Sequence, residues 1–315
     1  MKKKTAYLLG ILLTLSMLTG CGSSESNLQD KEISGVSNPT SGTENQTSDA
    51  EGTENSSSNE GKNQSTKVTI EEQVLYDEND IKITATGMED SLFGTDLKLL
   101  IENNSGKSIT VQARNSNVNG YMVDTMMSAD VASGKKANDS LTFQTSGLKE
   151  SGIEQIAEME FSFYIFDSDT WDTILETDLI TVRTSIADGY VQNYDDSGNL
   201  LVEAEGVKII GKGLSANDSF WGPGLILYIE NNSDKNVTIQ VRDVSINGFM
   251  VSSSMSEDVV VGKKAISAVQ FFSTDLESNG IDDITEVELY FHIFEAETWD
   301  TIVDTDAITI NFSTP

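Results

Sequence analysis

Short segments in which apolar and polar residues alternate recur along the chain, separated by runs of Asn, Gly, Asp and Ser. In the clearest of them, residues 158–166, one face carries Met159, Phe161, Phe163 and Ile165. Successive side chains of a β-strand point to opposite faces, so a period of two predicts a strand with one buried face. We therefore expect Phe163 to lie in a hydrophobic core.

The chain carries this pattern twice. Residues 101–182 return without a gap as residues 229–310, at an offset of 229 − 101 = 128. The copies share Ile-Glu-Asn-Asn-Ser at 101 and 229, Asn-Gly at 119 and 247, Gly-Lys-Lys-Ala at 134 and 262, and Thr-Trp-Asp-Thr-Ile at 170 and 298. A unit this long is a duplicated domain rather than a solenoid repeat. Residues kept in both copies are expected to be needed by the unit, and Phe291, the counterpart of Phe163, should be buried as well.

Each copy holds about seven short strands joined by turns. No window shows a sustained helical period, although residues 148–156 fit one short helical turn. Sheets with one solvent-facing side alternate in this way, whereas parallel sheets give unbroken apolar runs. The pattern predicts an all-β chain with two tandem antiparallel β-sandwich domains, at 68–187 and 188–315, after a signal peptide at 1–20 and a tether at 21–67.

The N-terminus has the features of an export signal. Three lysines at 2–4 precede an apolar run at 6–17, which is too short to span a bilayer and is typical of a cleaved signal peptide. The next four residues, Leu18-Thr19-Gly20-Cys21, resemble the lipobox of bacterial lipoproteins. The resemblance implies that Cys21 becomes the lipid-bearing first residue of the mature chain, anchored to the outer face of the cell membrane. Cys21 is the single cysteine, so no intramolecular disulfide can form.

Residues 22–67 consist almost entirely of Ser, Asn, Gly, Thr, Glu and Gln. Such a composition buries too little apolar surface to offset the entropy of ordering, so it predicts a disordered segment. We interpret it as a tether that lifts the folded part away from the membrane.

The order of motifs in each copy also carries a resemblance. A strand, an Ile-Glu-Asn-Asn-Ser turn, an Asn-Gly pair, a Gly-Lys-Lys loop and a late Phe-rich strand resemble the immunoglobulin-like (telokin-like) domains of many bacterial lipoproteins. The resemblance covers about 70–185 and 198–313, without a Cys…Trp…Cys signature. It implies surface display and binding, not a reaction.

Charge and composition exclude several functions. With 51 acidic against 20 basic residues the net charge is −31, so the chain is not expected to bind nucleic acid, which requires a basic surface. A zinc site needs His or Cys ligands that the chain lacks, and a Ser-His-Asp or Cys-His mechanism could exist in the second copy alone, because the single His is His292. His292 faces outward in the predicted strand and is Tyr164 in the first copy. Paired carboxylates remain an alternative, because their separation is invisible in sequence.

Aromatic and basic residues at matching positions are candidate contacts. Trp171 and Trp299 follow the Phe-rich strand in each copy, and Trp221 occurs in the second copy alone. We favour a core or loop plug for the paired tryptophans over stacking on a sugar or peptide. Lys135-Lys136 and Lys263-Lys264 are basic islands, for which solvated loops are favoured over pairing with acids of the other copy or with phosphate.

An acidic hairpin recurs beside the paired tryptophans. Its carboxylates are Asp167, Asp169 and Asp172 in the first copy and Glu295, Glu297 and Asp300 in the second. A Ca²⁺ ion would relieve their repulsion, which makes calcium the one candidate cofactor. The change from Asp to Glu and the absence of a turn glycine argue against a tight cage, and a charged turn that keeps the hairpin soluble is favoured.

These observations predict a lipid-anchored, extracytoplasmic binding protein with two homologous β-sandwich modules and no catalytic activity. Its expected partners are the membrane, through the lipid on Cys21, and a protein or cell-wall glycan ligand; we expect a monomer. The alternative is a cell-envelope hydrolase, or its accessory subunit, that works through paired carboxylates.

Overall fold

The computed structural model describes residues 29–41, 67–219 and 221–313, without the side chains of 217–219. The predicted signal peptide, Cys21 and residues 42–66 of the predicted tether lie outside these ranges. The first described segment contains two strands, β1 (Ile33–Ser37) and β2 (Thr40–Ser41). Each helix in the described ranges has six residues, and neither is long enough to cross a membrane.

The first domain is built from short strands and one short helix. Its elements are β3 (Gln73–Glu78), β4 (Ile81–Asp90), β5 (Gly94–Asn103), β6 (Ile109–Val118), β7 (Tyr121–Met122), β8 (Thr125–Met126), β9 (Ala129–Val131), β10 (Lys135–Gln144), α1 (Thr145–Glu150), β11 (Glu158–Asp167), β12 (Thr173–Glu176) and β13 (Ile180–Arg183). One sheet has the order β3-β4-β5-β10-β8. In the facing sheet, β11 pairs with β12 and β13 on one side and with β6 on the other.

The second domain repeats this plan. Its elements are β14 (Asn199–Ala204), β15 (Val207–Ser219), β16 (Gly222–Asn231), β17 (Val237–Ile246), β18 (Phe249–Met250), β19 (Ser253–Ser254), β20 (Ser256–Val259), β21 (Lys264–Phe271), α2 (Ser273–Ser278), β22 (Glu286–Glu295), β23 (Thr301–Asp304) and β24 (Ile308–Phe312). The sheet β14-β15-β16-β21 faces the sheet β24-β22-β17.

A hydrophobic core lies between the two sheets of each domain. Phe163 and Phe291 are 0% and 1% exposed, which confirms their predicted burial and the strand facing that follows from it. The Phe161 ring packs against Phe163 at 5.3 Å and against Phe143 of the opposite sheet at 6.4 Å. Burial of the alternate apolar residues of antiparallel strands thus gives the predicted all-β sandwich.

The tether interpretation is wrong for residues 29–41. β1 pairs antiparallel with β24, with Val36 opposite Ile310, and β2 pairs in parallel with β14. Ile33 and Val36 are the large aliphatic residues of this segment, and both pack against the core of the second domain. Two such residues in a long polar run leave the average composition unchanged, yet they are enough to dock a strand on an existing sheet edge.

The two domains join through a small polar and aromatic interface. Lys264 of β21 pairs with Tyr121 of β7, so one sheet continues from one domain into the other. The Tyr121 ring lies 5.2 Å from Tyr194 of the linker and 6.5 Å from Tyr228. Burial raises the pKa of Tyr121 to about 12, so its hydroxyl stays protonated at neutral pH.

The preferred interpretation of the second basic pair as solvated loop lysines is wrong. Lys263 forms a partly buried ion pair with Glu160 of the first domain. Lys264 lies 3.2 Å from the Glu230 carboxylate and 4.4 Å from the centre of the Tyr194 ring. In the second copy this loop faces the first domain, so its lysines contact residues outside their own domain.

Candidate functional site

Two asparagines shared by the copies have structural roles. Asn103 is fully buried, and its Nδ2 donates to the carbonyls of Lys107 and Val131, both at 2.8 Å. Its Oδ1 accepts from the backbone N–H of Ser105 at 3.0 Å. Asn231 makes the same bonds in the second copy. Loss of a buried amide would leave several backbone groups unpaired, so the fold alone accounts for the repeated motif.

The asparagine of the repeated Asn-Gly turn is likewise structural. Asn119 has a φ of 50° and donates from Nδ2 to the carbonyl of Gln155 at 2.8 Å. Its Oδ1 accepts from the backbone N–H of Ala157 at 2.9 Å. Asn247 has a φ of 51° and bonds in the same way to Asp283 and Thr285.

The shared tryptophans differ from these asparagines because they are exposed. Trp171 is 75% exposed and Trp299 is 72% exposed, each in the hairpin after the Phe-rich strand, β11–β12 and β22–β23. Each indole stacks by one face on a phenylalanine, Trp171 on Phe166 at 5.5 Å and Trp299 on Phe294 at 5.4 Å. The preferred interpretation as core or loop plugs is therefore wrong.

The backbone at both tryptophans is strained. Trp171 has a φ of 67° and Trp299 a φ of 65°, in the left-handed region that favours Gly and Asn. A left-handed conformation costs an ordinary residue about 1–2 kcal/mol. The hairpin enforces it, because the Trp171 N–H donates to the carbonyl of Asp167 at 2.8 Å while the Asp167 N–H donates to the carbonyl of Asp172 at 3.0 Å. The second hairpin closes with the same bonds.

Nearby groups engage several carboxylates of the first acidic hairpin. Asp167 lies 3.0 Å from the Lys107 ammonium and accepts from the backbone N–H of Asp169. The hydrogen bond with Lys107 lowers the pKa of Asp167, and the bond from Asp169 adds to the effect. Asp172 accepts from the hydroxyl of Thr170 at 2.9 Å.

The second hairpin follows a similar scheme. Glu295 lies 2.6 Å from Lys235, which lowers the pKa of that carboxyl, and Glu297 accepts from Asn236 at 2.8 Å. Asp300 closes the turn through its carbonyl. Across residues 29–41, 67–219 and 221–313, no group of three or more His, Cys, Asp or Glu residues is placed to hold a metal ion. The structure thus gives the calcium hypothesis no preformed cage.

The third tryptophan belongs to a different hairpin. Trp221 precedes β16, is 63% exposed, and meets Phe272 edge to face at 6.5 Å. Its carbonyl accepts from the backbone N–H of Ser273, which ties the hairpin to the start of α2. The structure therefore does not place Trp221 in the equivalent of the Trp171 hairpin.

His292 is more buried than its predicted outward position suggests. It is 9% exposed, with its ring 5.0 Å from Phe294. Its Nδ1 lies 2.6 Å from a carboxylate oxygen of Asp304, which also lies 3.6 Å from Arg242. The ring thus extends the aromatic stack beneath Trp299.

A cleft of about 330 Å³ lies between the domains. From the first domain it is lined by Arg114, Asp124 and Glu150, and from the second by Glu257 and Asp258. The Arg114 guanidinium lies 3.5 Å above the ring of Tyr164, which fixes its orientation. Four carboxylates against one guanidinium give the cleft a negative field, suited to a polar or cationic ligand.

Glu257 is the perturbed acid of this cleft. Burial raises the pKa of its carboxyl to about 7, the negative charges of Asp124, Asp258 and Glu150 add to the rise, and a hydrogen bond with Ser267 opposes it. A partly buried carboxyl that titrates near neutral pH can hold or release a proton, which is a common property of functional sites. No sequence pattern pointed to Glu257, because its environment includes residues of both domains.

No protein-family model matches the chain, and no curated protein matches it. Among solved structures, the chain is similar to the YadV chaperone at 12% identity, over 72% of this chain and 98% of that chain. The TM-score is 0.24, so this similarity carries no argument about fold or function.

Proposed function

We propose that the protein is a lipid-anchored, extracytoplasmic binding protein that displays two homologous immunoglobulin-like modules at the outer face of a bacterial cell membrane, without catalysis. The sequence Leu18-Thr19-Gly20-Cys21 supports the anchor, and the duplicated antiparallel sandwich supports the modular display. The ligand is a protein or cell-wall glycan with a surface that an indole can stack upon.

The observation that carries the binding function is the paired, exposed and strained tryptophan. The repeated asparagines are kept in both copies because the fold needs them, but burial does not explain Trp171 and Trp299. Strain at an exposed aromatic residue lowers stability, and such strain concentrates at functional sites. The phenylalanine beneath each indole holds the ring in place, which reduces the entropy lost when a ligand stacks on the other face.

Two such surfaces on one chain allow bivalent binding. A repeating ligand such as a glycan strand offers several equivalent sites, and the second contact then forms at a high effective concentration. The similar exposure of the two tryptophans agrees with equivalent roles for the two modules.

The test uses asparagine substitutions, because Asn tolerates the left-handed conformation that the hairpin requires. We expect Trp171→Asn and Trp299→Asn each to weaken sedimentation with insoluble cell-wall glycan, or capture of a protein from envelope extract, by about tenfold or more. The double variant should lose binding, whereas Leu92→Ala, which removes an 88% exposed side chain from another turn, should not change it. Unchanged binding by the folded double variant would contradict the proposed role of the tryptophans.

The anchor has its own test. We expect Cys21→Ala to release the protein from membranes or to leave its signal peptide uncleaved, as measured by membrane fractionation and mass spectrometry. Membrane retention of a normally processed Cys21→Ala protein would disprove lipidation.

A second candidate function rests on the interdomain cleft. Glu257, whose pKa burial raises to about 7, lies in this cleft with Asp124, Glu150 and Asp258, and carboxylate-dependent hydrolysis of a glycan uses one protonated and one ionised carboxyl group. If the protein hydrolyses purified cell-wall glycan, Glu257→Gln should abolish the activity, whereas Trp171→Asn should mainly raise KM for the glycan. If the wild-type chain releases no soluble fragments from the glycan, the hydrolase candidate is rejected.

A further inference from the structure

In the second domain, the segment that covers the edge strand β24 does not come from the chain directly before β14. In the first domain, the segment before β3 begins beside β13, where the carbonyl of Thr69 accepts from the backbone N–H of Ser185 at 2.7 Å. Ile70 then packs on the core, and the chain crosses directly into β3. One continuous segment therefore covers both sheet edges of the first domain.

In the second domain, the corresponding segment serves as the interdomain linker. Tyr194 donates from its hydroxyl to the carbonyl of Asn119, and Gln192 accepts from the Asn119 amide. Residues that bind the first domain in this way are not available to cover β24. Residues 29–41 take that place, with the carbonyl of Glu32 accepting from the backbone N–H of Ser313 at 3.1 Å, the equivalent of the bond between Ser185 and Thr69.

The groove that receives this segment is shaped for it. A Cβ added to Gly211 would lie 2.6 Å from Cδ1 of Ile33, and one added to Gly213 would lie 2.8 Å from the carbonyl oxygen of Lys31. The residue equivalent to Gly211 in the first domain is Ala85, at the offset of 126 that relates these strands. The second domain thus has the smaller residue at the position where Ile33 enters.

Specific polar contacts fix the register of the segment. Lys31 is 8% exposed; its Nζ lies 2.5 Å from Asp283 and donates to the carbonyl of Ile284 at 3.0 Å. Its backbone forms two hydrogen bonds with Leu214, at 2.8 and 2.9 Å. Asp30 accepts from the backbone N–H of Ala216 at 2.8 Å. A buried lysine with an acidic partner gives this site a chemical preference for a basic residue two positions before a β-branched one.

A long stretch of chain separates this strand from the domain on which it docks. The whole first domain lies between Ser41 and β14, and the connection from Ser41 to Lys67 has 66 − 41 = 25 residues. A connection of that length spans up to about 85 Å when extended. The contacts in the groove are the same whichever copy supplies the strand, so the connection and the protein concentration decide between the two.

We propose that the groove between β14 and β24 is a strand-binding site that accepts residues 30–41 of a second copy as well as its own, so that neighbouring copies exchange this strand. The ligand is an extended segment with a buried lysine and two β-branched residues, of the form Lys-x-Ile-x-x-Val. Reciprocal exchange gives a closed dimer in which both second domains are complete.

The test uses single cysteines in the full chain, after Cys21→Ser has removed the natural one. Ser37 of β1 lies opposite Thr309 of β24. A chain with both Ser37→Cys and Thr309→Cys should form an internal disulfide, which checks the pairing within one copy. Equal amounts of the two single-cysteine chains are then mixed at high concentration, unfolded in urea, refolded together and oxidised.

Exchange predicts a disulfide-linked dimer of the two single-cysteine chains on a non-reducing gel. As the matched control, Ser34→Cys replaces Ser37→Cys, because Ser34 is an exposed residue of the same strand without Thr309 as its partner. Ile33→Asp in the donor chain should abolish the dimer, since it would place a charge beside the core. The proposal is overturned if the internal disulfide forms but the mixed dimer does not exceed the Ser34 control, or if the internal disulfide itself fails to form.

Discussion

Glu257 offers the sharpest test of the interface between the domains. The pKa of the Glu257 carboxyl is about 7, whereas the ordinary pKa of a glutamate is 4.5. One pKa unit corresponds to about 1.4 kcal/mol, so the difference is worth about 3 kcal/mol of folding free energy. Because the folded state holds the proton more tightly than the unfolded chain, this contribution is fully present below about pH 4.5. It is lost as the pH rises to about 7.

Replacing Glu257 by Gln removes the charge but keeps the size and hydrogen-bonding capacity of the side chain. At pH 8 the wild-type carboxylate faces the negative charges of Asp124 and Glu150 from the first domain, and the amide does not. We therefore expect Glu257→Gln to raise the free energy of unfolding by up to about 3 kcal/mol at pH 8 and to leave it nearly unchanged at pH 4.5.

The assay is urea unfolding at several pH values between 4.5 and 8, followed by tryptophan fluorescence. Glu203→Gln serves as the matched control, because Glu203 is an exposed glutamate on a strand of the same domain. The control should follow the wild-type pH profile. If Glu257→Gln also follows it between pH 5 and 8, the carboxyl is ionised at neutral pH and both the burial argument and the hydrolase candidate lose their basis.

Three further predictions concern the cores, the interface and the hairpins. Phe163→Ala or Phe291→Ala should each cost about 3–5 kcal/mol in urea unfolding, because each removes a fully buried ring; a loss below 1 kcal/mol would contradict the packing. Lys263→Ala should cost about 1–3 kcal/mol in urea unfolding by leaving Glu160 unpaired at the domain interface, whereas Lys235→Ala, at an exposed pair, should cost much less. Millimolar Ca²⁺ should raise the melting temperature no more than NaCl of equal ionic strength, and a Ca²⁺-specific rise of several degrees would restore the metal hypothesis.

Alternation along single strands made the fold predictable from the sequence. The burial of Phe163 and Phe291 followed from a period of two, and the duplication gave an independent check of the same pattern. The exposure of Trp171 was not predictable in this way, because it depends on a hairpin conformation that Trp rarely adopts. Glu257 could not be found either, since its raised pKa arises first from burial in the folded chain and then from negative charges that belong partly to the other domain.

Residues 29–41 show a different limit of composition-based reasoning. A polar segment was expected to stay disordered because on average it cannot bury enough surface, but it needs to bury little when a sheet edge already exists. The segment is held by main-chain pairing with β24, by the contacts of Ile33 and Val36, and by the Lys31 ion pair. Each of these involves only a few residues of the segment, and none depends on the polarity of the others. The segment is therefore ordered mainly by the sheet on which it docks rather than by its own composition.

If Cys21 is lipidated as proposed, the docking of this segment also shortens the chain that connects the membrane anchor to the folded domains. Only 28 − 21 = 7 residues separate Cys21 from the described segment, which sets a reach of about 25 Å at full extension. A tether running to residue 67 would have reached several times farther. Since the segment docks on the second domain, lipidation at Cys21 would hold that domain within this distance of the bilayer. Tension between a bound ligand and such an anchor would be carried by the pairing of β1 with β24.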